Sequence, residues 1–468
     1  MRVLLVTLVL LGAGLAGCVS DAPADDVAVA NTEPTLADKA RVIVADIDTG
    51  INPYHLEFRD TSPEAYAHPS TYLAGYPADA LALNLTFEAN DYVSAVQADC
   101  EVWNSVRPGV TYWIPGTRII AARTLYDAPE KPASCEVSES TSDLPGLVLD
   151  RQGHGTMTAS RVAGATYSLC PDCKMVALQG FSAEQMLWSA EQPWIDLQTN
   201  SWGALPDSWA SNPEERDTVI SAIGHGQAIF VAGGNGAGGF FGVSGHPAYG
   251  DNIAGSNGII MVGGHDGGRY TPWTMTMPHV VADASYHPAA HYDSLDGGDA
   301  RTGGGTSGAT PFAAGTYARV LLEARRMAND TGTGMRNGDI AVLAANGTTL
   351  PSTALWEDGL LTTDELKMAF FHTADPRPQR DAEWDGEDCD ATSGDPVCIL
   401  YPTTPVEWGT IPREVPAYYF VGYGQVGART LEAHLGVVIG DDVAPDRSDE
   451  DGFYQLDAQA RFTVDSLQ

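Results

Sequence analysis

The sequence predicts an α/β fold: a mostly parallel sheet with helices on both faces. Short apolar runs recur along the chain, as buried strands do. Segments of helical periodicity separate them, which is the alternation that parallel strands with crossover helices require. Asp48, Asn200 to Gly203 and Asn235 fall at the carboxyl ends of such runs, where ligand sites of open α/β sheets lie.

Taken in order, 41–47 is an apolar run that delivers Asp48 at its carboxyl end. Similar runs occupy 175–178, 194–199, 228–231 and 259–262. Helical patterns fill 156–163, 183–190 and 213–223, and Pro213 suits a first helical turn. A long helix is expected from Ser307 to about Ala328, and another over 362–373. An acidic stretch, 446–451, precedes an expected final strand at 461–464. No internal repeat is present.

The 468 residues suffice for two or three domains, or for one large α/β domain with insertions. Aspartate and glutamate number 61 against 25 lysines and arginines, a net charge of −36. Lysine stands only at Lys39, Lys131, Lys174 and Lys367. An acidic, lysine-poor surface stays hydrated in high salt, so a saline (halophilic) setting is expected; the plainer reading is an acidic secreted protein. No basic cluster is present, which disfavours nucleic-acid binding.

Arg2 precedes an apolar run, 3–15, too short to span a bilayer comfortably. It ends in Leu15-Ala16-Gly17-Cys18, which looks like a lipoprotein lipobox. Residues 1–18 are read as a signal peptide and Cys18 as the lipidation site; the other reading is an ordinary signal peptide with an incidental cysteine. Residues 19–40 read as a flexible tether. The expected location is the outer face of the cell membrane, lipid-anchored, or secreted.

The remaining cysteines, Cys100, Cys135, Cys170, Cys173, Cys389 and Cys398, form an even set, which reads as disulfides in an exported chain. Proximity pairs Cys170 with Cys173, Cys389 with Cys398 and Cys100 with Cys135. Cys170-Pro171-Asp172-Cys173 also matches half of a zinc site, but no second CxxC or histidine pair accompanies it, so no metal ligand is assigned. Asp381, Glu383, Asp385 and Gly386 loosely match the start of a calcium loop, but Thr392 stands where glutamate is needed. A solvated acidic turn is the favoured reading; no cofactor is required, and calcium is left open as a structural ion. Asn84, Asn329 and Asn346 sit in glycosylation sequons, which carry little weight alone.

The most informative stretch is Gly305-Thr306-Ser307-Gly308-Ala309-Thr310-Pro311. It sets a serine among small residues where a glycine-rich loop meets a helix, beside N–H groups that favour developing negative charge. Upstream lie Gly153-His154-Gly155-Thr156 and Asp48-Thr49-Gly50. A serine hydroxyl needs a base to become a nucleophile; His154 can take its proton, and Asp48 can orient the imidazole. Asp46, two residues before Asp48, points to the same face of a strand and competes for that role. The Thr-Gly turn directly after Asp48 decides for Asp48, leaving Asp46 as a supporting or buried hydrogen-bonded acid.

The chain order Asp, His, Ser is one of three recurring orders of this triad. On these motifs the chain resembles the subtilase family (subtilisin-like, peptidase family S8) of serine peptidases, over about residues 41–440. The resemblance implies a subtilisin-like three-layer fold and a serine endopeptidase that hydrolyses a peptide or protein substrate through an acyl-enzyme. It assigns the catalytic roles to Asp48, His154 and Ser307. Phe230 to Gly236 resembles the family strand that ends in the oxyanion asparagine, which makes Asn235 that donor with the Ser307 N–H. Asn200-Ser201-Trp202-Gly203 resembles the strand that pairs with the bound peptide, and Ala232, Gly233 and Gly234 would line the first specificity pocket. Trp202 replaces a leucine often found there; it either narrows a subsite or packs in the core.

Gly422 to Ala428 resembles the turn before the last helix of such domains. By the same resemblance 41–440 is the catalytic domain, 58–149 contains a disulfide-stapled insertion near the cleft rim, and 441–468 is an acidic extension. The tether leaves no room for the folded propeptide that many subtilases carry. A monomer is expected. Two alternatives stand beside this reading. One is a catalytically impaired surface binding module of the same fold, motivated by the missing propeptide and the insertion. The other is a sedolisin-type acid peptidase, which has glutamate where this chain has His154.

Overall fold

A computed structural model describes residues 39–126, 147–202, 213–235, 259–266, 269–270, 278–285, 288–299, 304–328, 330–334, 361–375, 422–440 and 442–447. The strands are β1 (Ile43–Asp48), β2 (Leu81–Ala82), β3 (Tyr112–Trp113), β4 (Ile119–Thr124), β5 (Lys174–Gln179), β6 (Leu197–Asn200), β7 (Ala228–Ala232), β8 (Ile259–Asp266), β9 (Arg269–Tyr270), β10 (Val280–Asp283), β11 (Ala289–Ala290) and β12 (Gly298–Asp299). The helices are α1 (Tyr92–Ala98), α2 (Cys100–Ser105), α3 (His154–Ala163), α4 (Ala183–Glu191), α5 (Pro213–Gly224), α6 (Thr306–Ala328), α7 (Thr363–His372) and α8 (Leu431–Ile439).

Among the described residues, one sheet runs in the order β10-β8-β7-β6-β1-β5-β4-β3-β2, with β9 paired to β8. From β10 to β4 every neighbouring pair is parallel; β3 is antiparallel to β4. The fold is therefore the expected α/β class with a mostly parallel sheet. β11 and β12 form a separate antiparallel pair. The 58–149 stretch, read as containing a rim insertion, also supplies β4, which pairs in parallel with β5.

Alternation along β1 shows how the layers form. Ile43, Ala45 and Ile47 join the apolar cluster that takes Met186 and Ala190 of α4 and Val219 and Ala222 of α5. Val44 faces the other cluster, with Val162 of α3 and Ala313, Tyr317 and Leu321 of α6. Period-two alternation puts Asp46 and Asp48 on this second face, beneath α3. Both carboxylates are buried, as is the rest of β1.

The backbones of α3 and α6 come close enough that a methyl on Gly315 would lie 2.8 Å from the Val162 carbonyl. The carboxyl end of α6 is fixed by a fully buried ion pair, Arg325 Nη2 to Asp196 Oδ1 at 2.7 Å. Asp196 also accepts from the Ile43 and Gly334 N–H groups, and Arg325 donates to the Arg41 carbonyl. Through both Nη atoms of Arg325 this pair ties α6 to the start of β1; removing one partner of such a pair costs about 3–5 kcal/mol.

Cys170 and Cys173 form the expected disulfide. Cys100 is disulfide-bonded as well; its expected partner Cys135, like Cys389, Cys398 and Cys18, lies outside the described residues. So do Gly203, the 381–392 loop and the 461–464 strand. Among the described residues, no helix is long and apolar enough to cross a membrane, and no cluster of metal-ligating side chains is present.

Candidate active site

β1 ends at Asp48 and α3 begins at His154, and the two side chains meet: His154 Nδ1 lies 2.7 Å from Asp48 Oδ1. The first turn of α3 has free N–H groups that need acceptors. Its cap residue, Gly153, has φ 97° and offers no side chain. Three neighbouring side chains serve instead. Gln152 Oε1 accepts from His154 N, Thr49 Oγ1 from Gly155 N, and Asp150 Oδ2 from Thr156 N. Asp150 Oδ1 accepts further from Gln152 N, Gly153 N and Thr49 Oγ1.

Fully buried Asp150 therefore clamps the loop after Asp48 to the helix that carries His154, and its charge stands where the helix dipole favours an anion. Gly155 is required at this crossing, since a methyl there would come within 2.2 Å of the Gly50 carbonyl.

The electrostatics follow from this packing. Burial lowers the proton affinity of His154, but the Asp48 charge, its hydrogen bond and the Asp150 charge outweigh burial, so the imidazole titrates above its ordinary 6.5. Burial pushes the Asp48 carboxyl up, against the opposing pull of His154 and the Thr49 N–H. Asp46 does not touch His154. Its Oδ2 lies 3.0 Å from Thr158 Oγ1, one turn along α3. Of the two carboxylates, Asp48 is the one within hydrogen-bond distance of His154.

Ser307 stands in the first turn of α6. Pro311, four residues on, has no N–H to give to the Ser307 carbonyl. Ser201 Oγ takes that place at 2.9 Å, and the Ser307 hydroxyl donates back to the Ser201 carbonyl at 3.2 Å. Two serines at the ends of β6 and the start of α6 are thus locked together. Asn235, after β7, accepts at Oδ1 from both Thr306 N and Thr306 Oγ1. An N–H can only donate, so the amide oxygen faces Thr306 and the NH2 group is turned away. Gly305, with φ 76°, leaves room for it: a methyl there would sit 3.2 Å from Asn235 Nδ2.

His154 and Ser201 are linked through two rings. Phe181, half exposed after β5, stands edge-on to His154 at 6.4 Å and against Trp202 at 5.9 Å. Trp202 therefore packs along the rim while touching the cluster beneath the sheet. Asn200 differs from its neighbours. Its Nδ2 donates to Gln198 Oε1 and the Phe230 carbonyl inside the sheet, so its side chain is committed to the core. Ala232 and Gly233 are buried at the end of β7, and Gly234 is half-buried. Sequence reasoning missed Asp150, Gln152 and Phe181. Asp150 carried a signal of a coarser kind: a carboxylate shortly before a helix start, where the helix dipole favours an anion.

The site brings a histidine onto a buried aspartate at the carboxyl end of a parallel sheet, with a serine at the head of a neighbouring helix, the group types that serine peptidases of the α/β class use. The chain belongs to the subtilase family, whose model matches residues 39–382.

Among solved structures, a cold-adapted subtilisin-like serine proteinase is similar at 18% identity, over 68% of this chain and 83% of that one, with a TM-score of 0.35. The prenylagaramide maturation protease PagA is similar at 13% identity, over 86% and 99%, with a TM-score of 0.42. Sphericase is similar at 17% identity, over 61% and 78%, with a TM-score of 0.36. No protein of curated function matches the chain.

Proposed function

We propose that this subtilase is an exported, lipid-anchored endopeptidase that hydrolyses peptide bonds through an acyl-enzyme on Ser307. The observation that carries this is the 2.7 Å Asp48–His154 contact, set on the same side of the sheet as the head of α6. As substrate enters, the Ser307 hydroxyl leaves the Ser201 carbonyl and gives its proton to His154 Nε2, while its oxygen bonds to the scissile carbonyl carbon. Asp48 stabilises the imidazolium formed in that step. The carbonyl oxygen becomes an oxyanion, held by the Asn235 NH2 and the Ser307 N–H. His154 then protonates the leaving amine as the C–N bond breaks; water gives a proton to the same imidazole as its oxygen bonds to the acyl carbon, and the imidazolium returns that proton to Ser307 Oγ as the ester bond breaks. No cofactor enters these steps.

An extended peptide would add along Ser201 and Trp202, with Phe181 as an apolar wall and Ala232 to Gly234 beneath its side chain. Cys18 would carry the lipid, and 19–40 would tether the catalytic domain to the outer face of the membrane. The charge of −36 supports a saline setting. Salt screens its self-repulsion, so melting temperature should rise with salt concentration.

The test is casein hydrolysis by the wild type and by Ser307→Ala. The variant should keep the fold and lose activity; equal hydrolysis by both ends the proposal. Labelled fatty acid should enter the wild type and not Cys18→Ser.

A further inference from the structure

Asp46 takes no part in the reaction proposed above, yet it is only 3% exposed on the same face of β1 as Asp48. Its hydrogen bonds do not balance if it is ionised. Thr158 Oγ1 lies 3.0 Å from Asp46 Oδ2 and 3.0 Å from the Gly155 carbonyl oxygen. Carbonyl oxygen and carboxylate are both acceptors, and a hydroxyl has one proton to give. Asp46 Oδ1 is buried with no partner at all.

The ionisable neighbours offer no relief. Asp48 on β1 and Asp150 ahead of α3 both repel a charge at Asp46. His154 on α3 is engaged with Asp48. Ala177 on β5 and Thr199 on β6, its register partners, carry no charge. An ionised Asp46 would be a buried charge sharing a single donor, which is costly.

We infer that Asp46 is held as a neutral carboxylic acid that donates to Thr158 Oγ1, while Thr158 donates to the Gly155 carbonyl, making Asp46 a positioning residue for the turn of α3 that bears His154. One proton added at Oδ2 gives each of the two hydroxyls its own acceptor and removes the charge, leaving Oδ1 as a neutral carbonyl oxygen. Burial and the Asp48 charge push the Asp46 carboxyl well above the usual carboxylate range, in the same direction. The neutral acid also keeps a second negative charge off β1, so the proton affinity of His154 answers to Asp48 and Asp150. The catalytic consequence rests on the proposed triad; the protonation state does not.

The experiment reads the infrared band of protonated carboxyl groups at neutral pH in full-length Ser307→Ala, with and without Asp46→Asn. It needs no turnover, so a failure of proteolysis and a failure of this inference are separable. The expected result is a protonated-carboxyl band in Ser307→Ala that loses intensity when Asp46→Asn is added; an unchanged band overturns the inference. Should Asp46→Asn not fold, Thr158→Val reads the same group. Losing its acceptor should move the band to higher frequency, and an unmoved band counts against the inference.

In the active chain, Asp46→Ala cannot donate to Thr158 and should lower kcat about tenfold with little change in KM. Asp46→Asn can donate and should restore most of that loss while leaving the acid limb of the pH profile in place. A downward shift of that limb by about one unit in Asp46→Asn would mean a charge had been removed, and the inference fails.

Discussion

At the end of β1, Asp48 and His154 already touch, and Thr49, Asp150 and Gln152 hold both of their loops by hydrogen bonds. At the head of α6 the geometry differs. Ser307 is held through its carbonyl, and its hydroxyl points to the Ser201 carbonyl instead of to the imidazole. The Asp48–His154 pair is assembled by the fold, whereas in the proposed mechanism the Ser307 hydroxyl must first leave the Ser201 carbonyl. The contrast teaches where side-chain entropy is spent. Orienting a long-range Asp–His pair needs many buried contacts, whereas a serine at a helix start is held by its own backbone and keeps a freely turning hydroxyl.

The largest expected effect lies on the nucleophile side. Asn235→Ala removes the proposed oxyanion donor and should lower kcat on the order of 10²–10³-fold with KM nearly unchanged, the magnitude known for this donor in subtilisin. A comparable loss in KM instead would mean that Asn235 binds the ground state. Next comes the anchor of α6. Asp196→Ala strands Arg325 in the core and should cost about 3–5 kcal/mol in denaturant unfolding. A loss below about 1 kcal/mol would show that α6 is positioned by packing alone.

Ser201→Ala leaves the Ser307 carbonyl without the donor that stands in for the missing Pro311 N–H, and should cost about 1–3 kcal/mol of stability. If stability is unchanged and kcat drops, the Ser201 hydroxyl serves the reaction and not the helix. The smallest effect tests the acid–base half. His154 must be neutral to accept a proton, and its pKa is raised, so kcat/KM should rise with pH through a midpoint above 6.5. The His154–Asp48 ion pair should add stability fully present below pH 6.5 and lost as pH rises through the folded-state value. A midpoint below 6.5 would mean that burial outweighs the Asp48 charge.

Much of this was legible in the chain. The three motifs carry their own turns and helix starts, so Asp48, His154 and Ser307 could be placed from sequence alone. The expected helix from Ser307 to Ala328 matches α6 to within a residue. Element ends were less legible where distant groups decide them. α3 starts at His154, ahead of the expected 156, because Asp150, Thr49 and Gln152 satisfy its first N–H groups. The run at 194–199 becomes strand only from Leu197, while Trp194 and Ile195 are buried before it. Strand β4, which pairs in parallel with β5, hid inside a segment read as containing a disulfide-stapled insertion. The Ser201–Ser307 exchange was beyond reach, because it depends on a carbonyl freed by a proline in one helix meeting a hydroxyl just after a strand, 106 residues from Ser307 in the chain.

The measurement closest to the central claim is fluorophosphonate labelling of the folded chain, mapped by mass spectrometry, in the wild type and in His154→Ala. The account predicts a single adduct on Ser307, forming faster as pH rises through the His154 titration, and almost none in His154→Ala. Labelling elsewhere, or equal labelling of Ser307 without the imidazole, would contradict it.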